Sequence, residues 1–194
     1  MCNYFDEIYK FNLTLAVPIQ HNSPKPMKFE QPLIRGTLIK RYKRFLADIE
    51  LDSGQKITVH CPNSGSMKGC SSPGSPVYLS ISENKKRKYP HTLEMVKEGK
   101  VWIGVNTSLT NRIVTEAIEE GKIAELSNFD TLKREVKTSS ASRLDIMLLK
   151  GSSKTYIEIK NCSLVEKSIA MFPDAVTARG TKHLQELATL KKKG

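Results

Sequence analysis

Apolar and polar residues alternate with a period of two across most of residues 29–106. The alternation predicts strands at 33–41, 44–51, 55–61, 76–82, 91–96 and 100–106. Asp52-Ser-Gly54 is a hairpin signal between the second and third. A long break rich in Gly, Ser and Pro, residues 62–74, separates the third and fourth. A helix or an irregular loop there suits a five-stranded OB barrel, a fold that commonly binds oligonucleotides on its open face. The period then changes. Within 111–121, Ile113, Val114, Ala117 and Ile118 share one face of a helix, with Thr110 or Asn111 to cap its start and Gly121 to stop it. Strands follow at 132–137, 143–150 and 155–160, the last two joined by a turn at 151–154. Residues 178–193 read as a second helix with Leu184, Leu187 and Ala188 on one side. Helix, three strands, helix is most of the core of restriction-endonuclease-like nucleases. Residues 1–28 show no clear period and contain Pro18, Pro24 and Pro26. They read as a flexible extension, with an edge strand at 11–19 as an alternative.

The two strands at 143–150 and 155–160 carry the chemistry. Leu144, Ile146 and Leu148 take one face of the first, and Arg143, Asp145 and Met147 the other. In the second, Ile157 and Ile159 oppose Glu158 and Lys160. If the strands pair, Asp145, Glu158 and Lys160 share a face. Two carboxylates and a lysine held together are the parts of a metal-dependent phosphodiester hydrolase. Carboxylates offer hard oxygen ligands to Mg²⁺ or Mn²⁺, the metal can generate hydroxide, and the lysine can stabilise developing negative charge. The bland alternative is a salt-bridged outer face. Glu135, in the middle of the preceding strand, is either a further ligand or a surface residue. His183 and Gln185 on the last helix could approach the site, or could simply cap or pack.

Charge sharpens the picture. The net charge is +11, and it is segregated. Residues 29–90 carry 11 Lys/Arg against 5 Asp/Glu, residues 91–130 carry 4 against 7, and residues 131–194 carry 13 against 6. Two basic blocks around an acidic one suggest a polyanion surface, nucleic acid above all. Lys40-Arg-Tyr-Lys-Arg-Phe45 and Lys85-Lys-Arg-Lys-Tyr89 interleave cations with aromatics. Their cations can meet phosphates while Tyr42, Phe45 or Tyr89 stacks on bases. Lys40, Arg41, Tyr42, Lys43, Arg44, Lys85, Lys86, Arg87, Lys88 and Tyr89 are therefore DNA-contact candidates, with Arg143, Arg179 and Lys182 in the second basic block. A solvated lysine loop and core aromatics are the alternative.

Other classes recede. No apolar run is long enough to span a membrane, and the basic-then-apolar pattern of a secretory signal is missing, so a cytoplasmic location is expected. The break at 62–74 does not match the phosphate-binding GxxxxGK[ST] pattern. Cys2, Cys61, Cys70 and Cys162 form no CxxC pair; His60, Cys61 and Cys70 lack an evident fourth zinc ligand, so reduced thiols are expected.

Several blocks resemble the SfsA family, the sugar fermentation stimulation protein A homologues. They are Arg41-Tyr-Lys-Arg-Phe-Leu-Ala-Asp48, His60-Cys-Pro-Asn-Ser-Gly-Ser-Met67 with Gly69-Cys70, Ser82-Glu-Asn-Lys-Lys-Arg-Lys-Tyr-Pro-His-Thr92, Asn106-Thr107, Ser142-Arg-Leu-Asp145, Tyr156-Ile-Glu-Ile-Lys160, and Phe172-Pro-Asp-Ala-Val-Thr177 with Arg179-Gly180 and Lys182-His183-Leu184. They run in order from about residue 33 to 188. The resemblance implies an α+β protein. An OB-type barrel at 29–106 would precede a PD-(D/E)xK restriction-endonuclease-like α/β domain at 107–194. It implies DNA binding and a link to regulation of sugar, particularly maltose, utilisation. It places Asp145, Glu158 and Lys160 on the nuclease motif, with Mg²⁺ held by the carboxylates and the Ile159 carbonyl, and Lys160 serving the attacking water. Family members continue past the last helix, so a C-terminally truncated nuclease-like sheet is expected. Binding of RNA or protein by the barrel is an alternative function. The oligomeric state is open, a homodimer being one arrangement.

Overall fold

The structure, a computed structural model, describes residues 28–29, 31–140, 142–166, 169–172 and 178–193. The expected extension at 1–28 falls outside the described residues except for Lys28, as do Asp174 and Thr177.

All six strands expected in the first half form: β1 (Ile34–Tyr42), β2 (Leu46–Leu51), β3 (Lys56–His60), β4 (Pro76–Ile81), β5 (His91–Glu98) and β6 (Val101–Gly104). They lie in the order β3-β2-β1-β4-β5-β6. A parallel contact of β3 with β5, His60 opposite Thr92, closes strands β1 to β5 into a barrel. β6 is added as a hairpin on β5. The alternation that predicted the strands also fills the barrel: Leu38, Ala47, Ile49, Val59, Val77, Leu79, Leu93 and Val96 are buried in one cluster. Each of the Leu, Ile and Val side chains contributes about 1.5–3 kcal/mol on burial, and Ala47 less. Bulges between Leu38 and Lys40 and between Tyr78 and Leu79 help bend the sheet to closure. β1 and β2 pack so closely at Gly36 that a Cβ there would lie 2.8 Å from the Glu50 carbonyl oxygen.

The break at 62–74 is an irregular loop without a helix. Cys61, Met67 and Cys70 seal it into the barrel, all three fully buried, with Cys61 Sγ 3.6 Å from Met67 Sδ. Burial pushes both thiols above their ordinary pKa. The Arg41 guanidinium organises the loop from outside, donating to the carbonyl oxygens of Arg44, Asn63, Gly65 and Ser66.

In the second half, α1 (Thr110–Glu119) precedes the antiparallel sheet β7 (Thr131–Lys137), β8 (Arg143–Lys150) and β9 (Ser153–Ile157). α2 (Ala178–Lys192) comes last. Ile118, Phe129, Ile146 and Leu148 form the core, with Val114, Ile157 and Ile159 against it.

Three expectations need correction. The buried face of α1 runs through Val114, Thr115 and Ile118, and Ile113 is 48% exposed. Thr115 is tolerated inside because its hydroxyl donates to the Asn111 carbonyl one turn back. Neither Thr110 nor Asn111 caps the helix: the cap is Leu109, without a side-chain bond. At the other end Gly121 does stop it, at φ +67°, with Gly121 and Lys122 N–H bonded to the Ile118 and Ala117 carbonyls. Finally, the expected strand at 155–160 ends at Ile157, and a short hairpin, β10 (Leu164–Glu166) with β11 (Ile169–Met171), follows it. Three-residue strands are too short to leave a readable period.

Candidate functional site

The register of β8 with β9 brings the chemistry together. Ile146 faces Ile157, so the next pair would be Asp145 and Glu158. The ladder stops there, and the chain folds over the carboxylate instead. Ile159 N–H donates to Asp145 Oδ2 at 2.7 Å, while the Asn111 side-chain amide, from the first turn of α1, donates to Oδ1 at 2.8 Å. Asp145 is thus fixed between a helix and the segment leaving β9.

Glu158 turns inward, its side chain 6% exposed. Its Oε1 accepts from Lys160 Nζ and meets His183 Nδ1. Lys160 Nζ lies 3.3 Å from the same ring nitrogen. His183 comes from α2 and is itself buried. Glu158 Oε2 is buried with no hydrogen-bond partner. An orphaned buried acceptor costs about 1–3 kcal/mol, and more on a charged group. Such an oxygen is suited to a cation, with Asp145, the residue next in register, as the second carboxylate. Among the described residues no three His, Cys, Asp or Glu side chains converge to hold one. The protein's share would be Asp145, Glu158 and backbone oxygen. That suits Mg²⁺, which keeps several waters and takes one or two carboxylates plus substrate phosphate.

Glu135 does not join this set. It stands across from Asp145 in the β7–β8 register but drops out of the ladder, with φ +53°. Its exposed carboxylate pairs with Arg143 at 3.6 Å, which also occupies that candidate arginine. Gln185 is exposed on α2. Asn111, a cap candidate by sequence, is instead a carboxylate holder. His183, for which the sequence leaves packing and chemistry both open, is a direct partner of Glu158 and Lys160. A lone Asn in the first turn of an otherwise apolar helix face is the available signal for Asn111; only the packing of α1 on β8 gives it a target.

The basic clusters divide into engaged and open groups. Arg41 is spent on the 62–66 loop, as described. Tyr42 and Thr58 donate to Asp48 Oδ1, and Lys40 pairs with Asp48 Oδ2 at 3.6 Å and lies over the Tyr42 ring. Burial raises the Asp48 pKa, but these hydrogen bonds and the lysine bring it below the ordinary carboxylate value. Arg87 reaches His60 and Thr92; burial, with Arg87 nearby, holds the His60 pKa down. Lys43, Arg44 and Phe45 are exposed in the β1–β2 turn, the first two at positive φ. Lys85, Lys86 and Lys88 are exposed in the β4–β5 loop, with Lys88 over Tyr89. The two loops sit at one end of the barrel: Cys61 N–H donates to the Phe45 carbonyl, and the adjacent His60 meets Arg87. Arg179 and Lys182 are exposed at the start of α2.

Comparison with known proteins covers most of the chain. Residues 39–105 match the family described as the SfsA N-terminal OB domain, and residues 108–194 the sugar fermentation stimulation protein RE domain. A sugar fermentation stimulation protein homolog of Desulfotalea psychrophila is 59% identical over 168 residues, 87% of this chain and 71% of that one. Its counterpart in Geotalea uraniireducens is 52% identical, covering 87% and 73%. Among solved structures, Pyrococcus furiosus SfsA in complex with Ca²⁺ is similar with a TM-score of 0.75 at 23% identity, covering 88% of this chain and 72% of that one. At that identity the likeness speaks to the fold.

Proposed function

Because this chain belongs to the SfsA family, an OB domain followed by an RE domain, we propose that it is a DNA-binding protein. The observation that carries this reading is the meeting of the β1–β2 and β4–β5 loops at one end of the barrel. Their exposed Lys43, Arg44, Lys85, Lys86 and Lys88 lie beside Phe45 and Tyr89. These are the loops with which OB barrels flank an oligonucleotide. Lysines contribute phosphate contacts without base identity, so binding falls steeply with salt. A role in regulating sugar, particularly maltose, utilisation is part of the proposal and rests on the family likeness alone. The test is DNA affinity across a salt series. Replacing Lys85, Lys86 and Lys88 with alanine should lower the steepness of log K against log salt by roughly 0.9 for each duplex phosphate left without its lysine. A wild-type protein that binds neither duplex nor single-stranded DNA at low salt overturns the reading.

The orphaned Glu158 oxygen favours a second reading, a metal-dependent nuclease. Asp145 and Glu158, with the Ile159 carbonyl, would hold Mg²⁺ or Mn²⁺, which supplies a Lewis acid and a water of lowered pKa. Asn111 and Ile159 N–H keep Asp145 in place. Lys160, held by Glu158 and His183, offers an ammonium for negative charge developing on phosphate. That a relative's structure is described as a Ca²⁺ complex is consistent with an oxygen-lined cation site. Metal titration by calorimetry, with cleavage in Mg²⁺ or Mn²⁺ against EDTA, checks it. Glu158→Gln should lose metal binding and cleavage together while DNA binding remains. Cleavage that survives in Glu158→Gln and Lys160→Met rejects it.

A further inference from the structure

The outer wall of the barrel carries an aromatic ledge away from the basic loops. Trp102 on β6 is 37% exposed and packs on Tyr78 of β4, ring centroids 4.5 Å apart and tilted by 33°. β5 runs between them, contributing Met95 opposite Tyr78 and Lys97 opposite Trp102. The Lys97 ammonium lies 5.7 Å from the Trp102 ring centre. On the far side of Tyr78, Arg35 is its exposed cross-strand partner. Barrel closure cannot account for Trp102: Ile103, the next residue, is the one that packs on the core. A large, half-exposed indole backed by a tyrosine and flanked by two cations resembles a platform awaiting a flat, anionic ligand.

We propose that this ledge is a stacking site for single-stranded DNA. A nucleobase offers a π-face to the tilted pair of indole and phenol rings, and its flanking phosphates suit Lys97 and Arg35. Duplex DNA hides its base faces and offers only its edges and backbone, so the ledge selects unpaired nucleotides. The position also suits the candidate nuclease cluster. β6 ends at Gly104, two residues past Trp102, and the Gly104 carbonyl accepts from the side chain of Asn161, the residue after Lys160. The end of β6 beyond the ledge therefore meets the segment that follows Lys160, and β6 leads from one to the other. Gly104 leaves that passage open, since no atom lies within 4 Å of where its Cβ would be. The inference rests on the DNA-binding reading and adds to it the state of the DNA and a second contact surface.

Trp102 is the chain's single tryptophan, so its emission reports on the ledge alone. The full chain would be titrated at low salt with an oligo-dT single strand and with a duplex, following tryptophan emission and the anisotropy of a label on the DNA. Oligo-dT should quench Trp102 along the same isotherm as its anisotropy, and duplex should not. Trp102→Ala should weaken oligo-dT binding roughly ten- to a hundredfold and duplex binding far less, with Trp102→Phe keeping most of the affinity. Should Trp102→Ala fail to fold, the wild-type quench together with weaker oligo-dT binding by Lys97→Gln carries the proposal. Oligo-dT binding that leaves Trp102 emission unchanged overturns the ledge and leaves DNA binding standing. Loss of all binding, single-stranded and duplex, overturns both. Emission that shifts with protein concentration in the absence of DNA, and no further on adding oligo-dT, assigns the ledge to a second copy of the chain instead.

Discussion

The side-chain amide of Asn111 donates to Asp145 Oδ1 across 2.8 Å, tying the first turn of α1 to the middle strand of the second sheet. With Ile159 N–H on the other oxygen, it sets the carboxylate's orientation. A partly buried hydrogen bond to a charged group contributes about 1.5–3 kcal/mol. Asn111→Ala should lower stability by that amount in urea unfolding, with the slope unchanged. Asn111→Asp should cost more, because it sets a second negative charge against Asp145.

Arg41 behaves as a structural residue despite standing in a basic cluster. Four carbonyl oxygens of the turn and loop around it accept from its guanidinium. Arg41→Lys keeps the charge and loses the fork of donors. Both Arg41→Lys and Arg41→Ala should therefore lower the urea midpoint, by about 2–3 kcal/mol for alanine. Lys43→Ala, two residues on and exposed, should leave the midpoint unchanged. Equal stability of Arg41→Lys and wild type would contradict this role.

Barrel closure should be acid-sensitive through two histidines. Burial lowers the pKa of His60, with help from Arg87, and burial alone lowers that of His91. The unfolded chain, with histidines near 6.5, then takes up protons before the folded chain does. Stability is full above about pH 6.5 and is lost as pH falls below it through the lowered folded values. Thermal melts from pH 8 to pH 5 should show the loss, and a His60→Gln/His91→Gln variant should show a flatter profile. Asp48 and Asp130, whose folded pKa values are lowered from 3.8, add a further loss only in more acidic solution.

Gly36 is required by contact rather than by backbone freedom. A Cβ there would meet Ile49 Cγ2 at 2.7 Å and the Glu50 carbonyl oxygen at 2.8 Å. A side-chain methyl can shift, but a strand carbonyl in a closed barrel cannot do so cheaply. Gly36→Ala should destabilise by about 1–3 kcal/mol, measured by chemical denaturation. A neutral result would mean that β1 and β2 can separate without opening the barrel.

Much of this protein is decided locally. The period-two alternation determined the five strands of the barrel, the β6 hairpin strand added to them, and their inward faces, because a pleated strand sends successive side chains to opposite sides. The pairing of β8 with β9 was likewise legible, since two apolar-alternating runs around a short turn can pair in few registers, but Glu158 and Lys160 lie past the end of that ladder, where only the tertiary fold sets their partners. Tertiary structure decided the rest. Whether a cation faces solvent or grips a loop depends on what lies across from it, which is why Arg41 and Arg87 are engaged while Lys43 and Lys85 are exposed. Glu135 was drawn to Arg143 by a departure from the ladder that no residue pattern announces. His183 meets Glu158 from 25 positions away, and Trp102 meets Tyr78 across an intervening strand. Such pairings arise from the packing of whole elements, and a one-dimensional pattern carries only the preferences of each element taken alone.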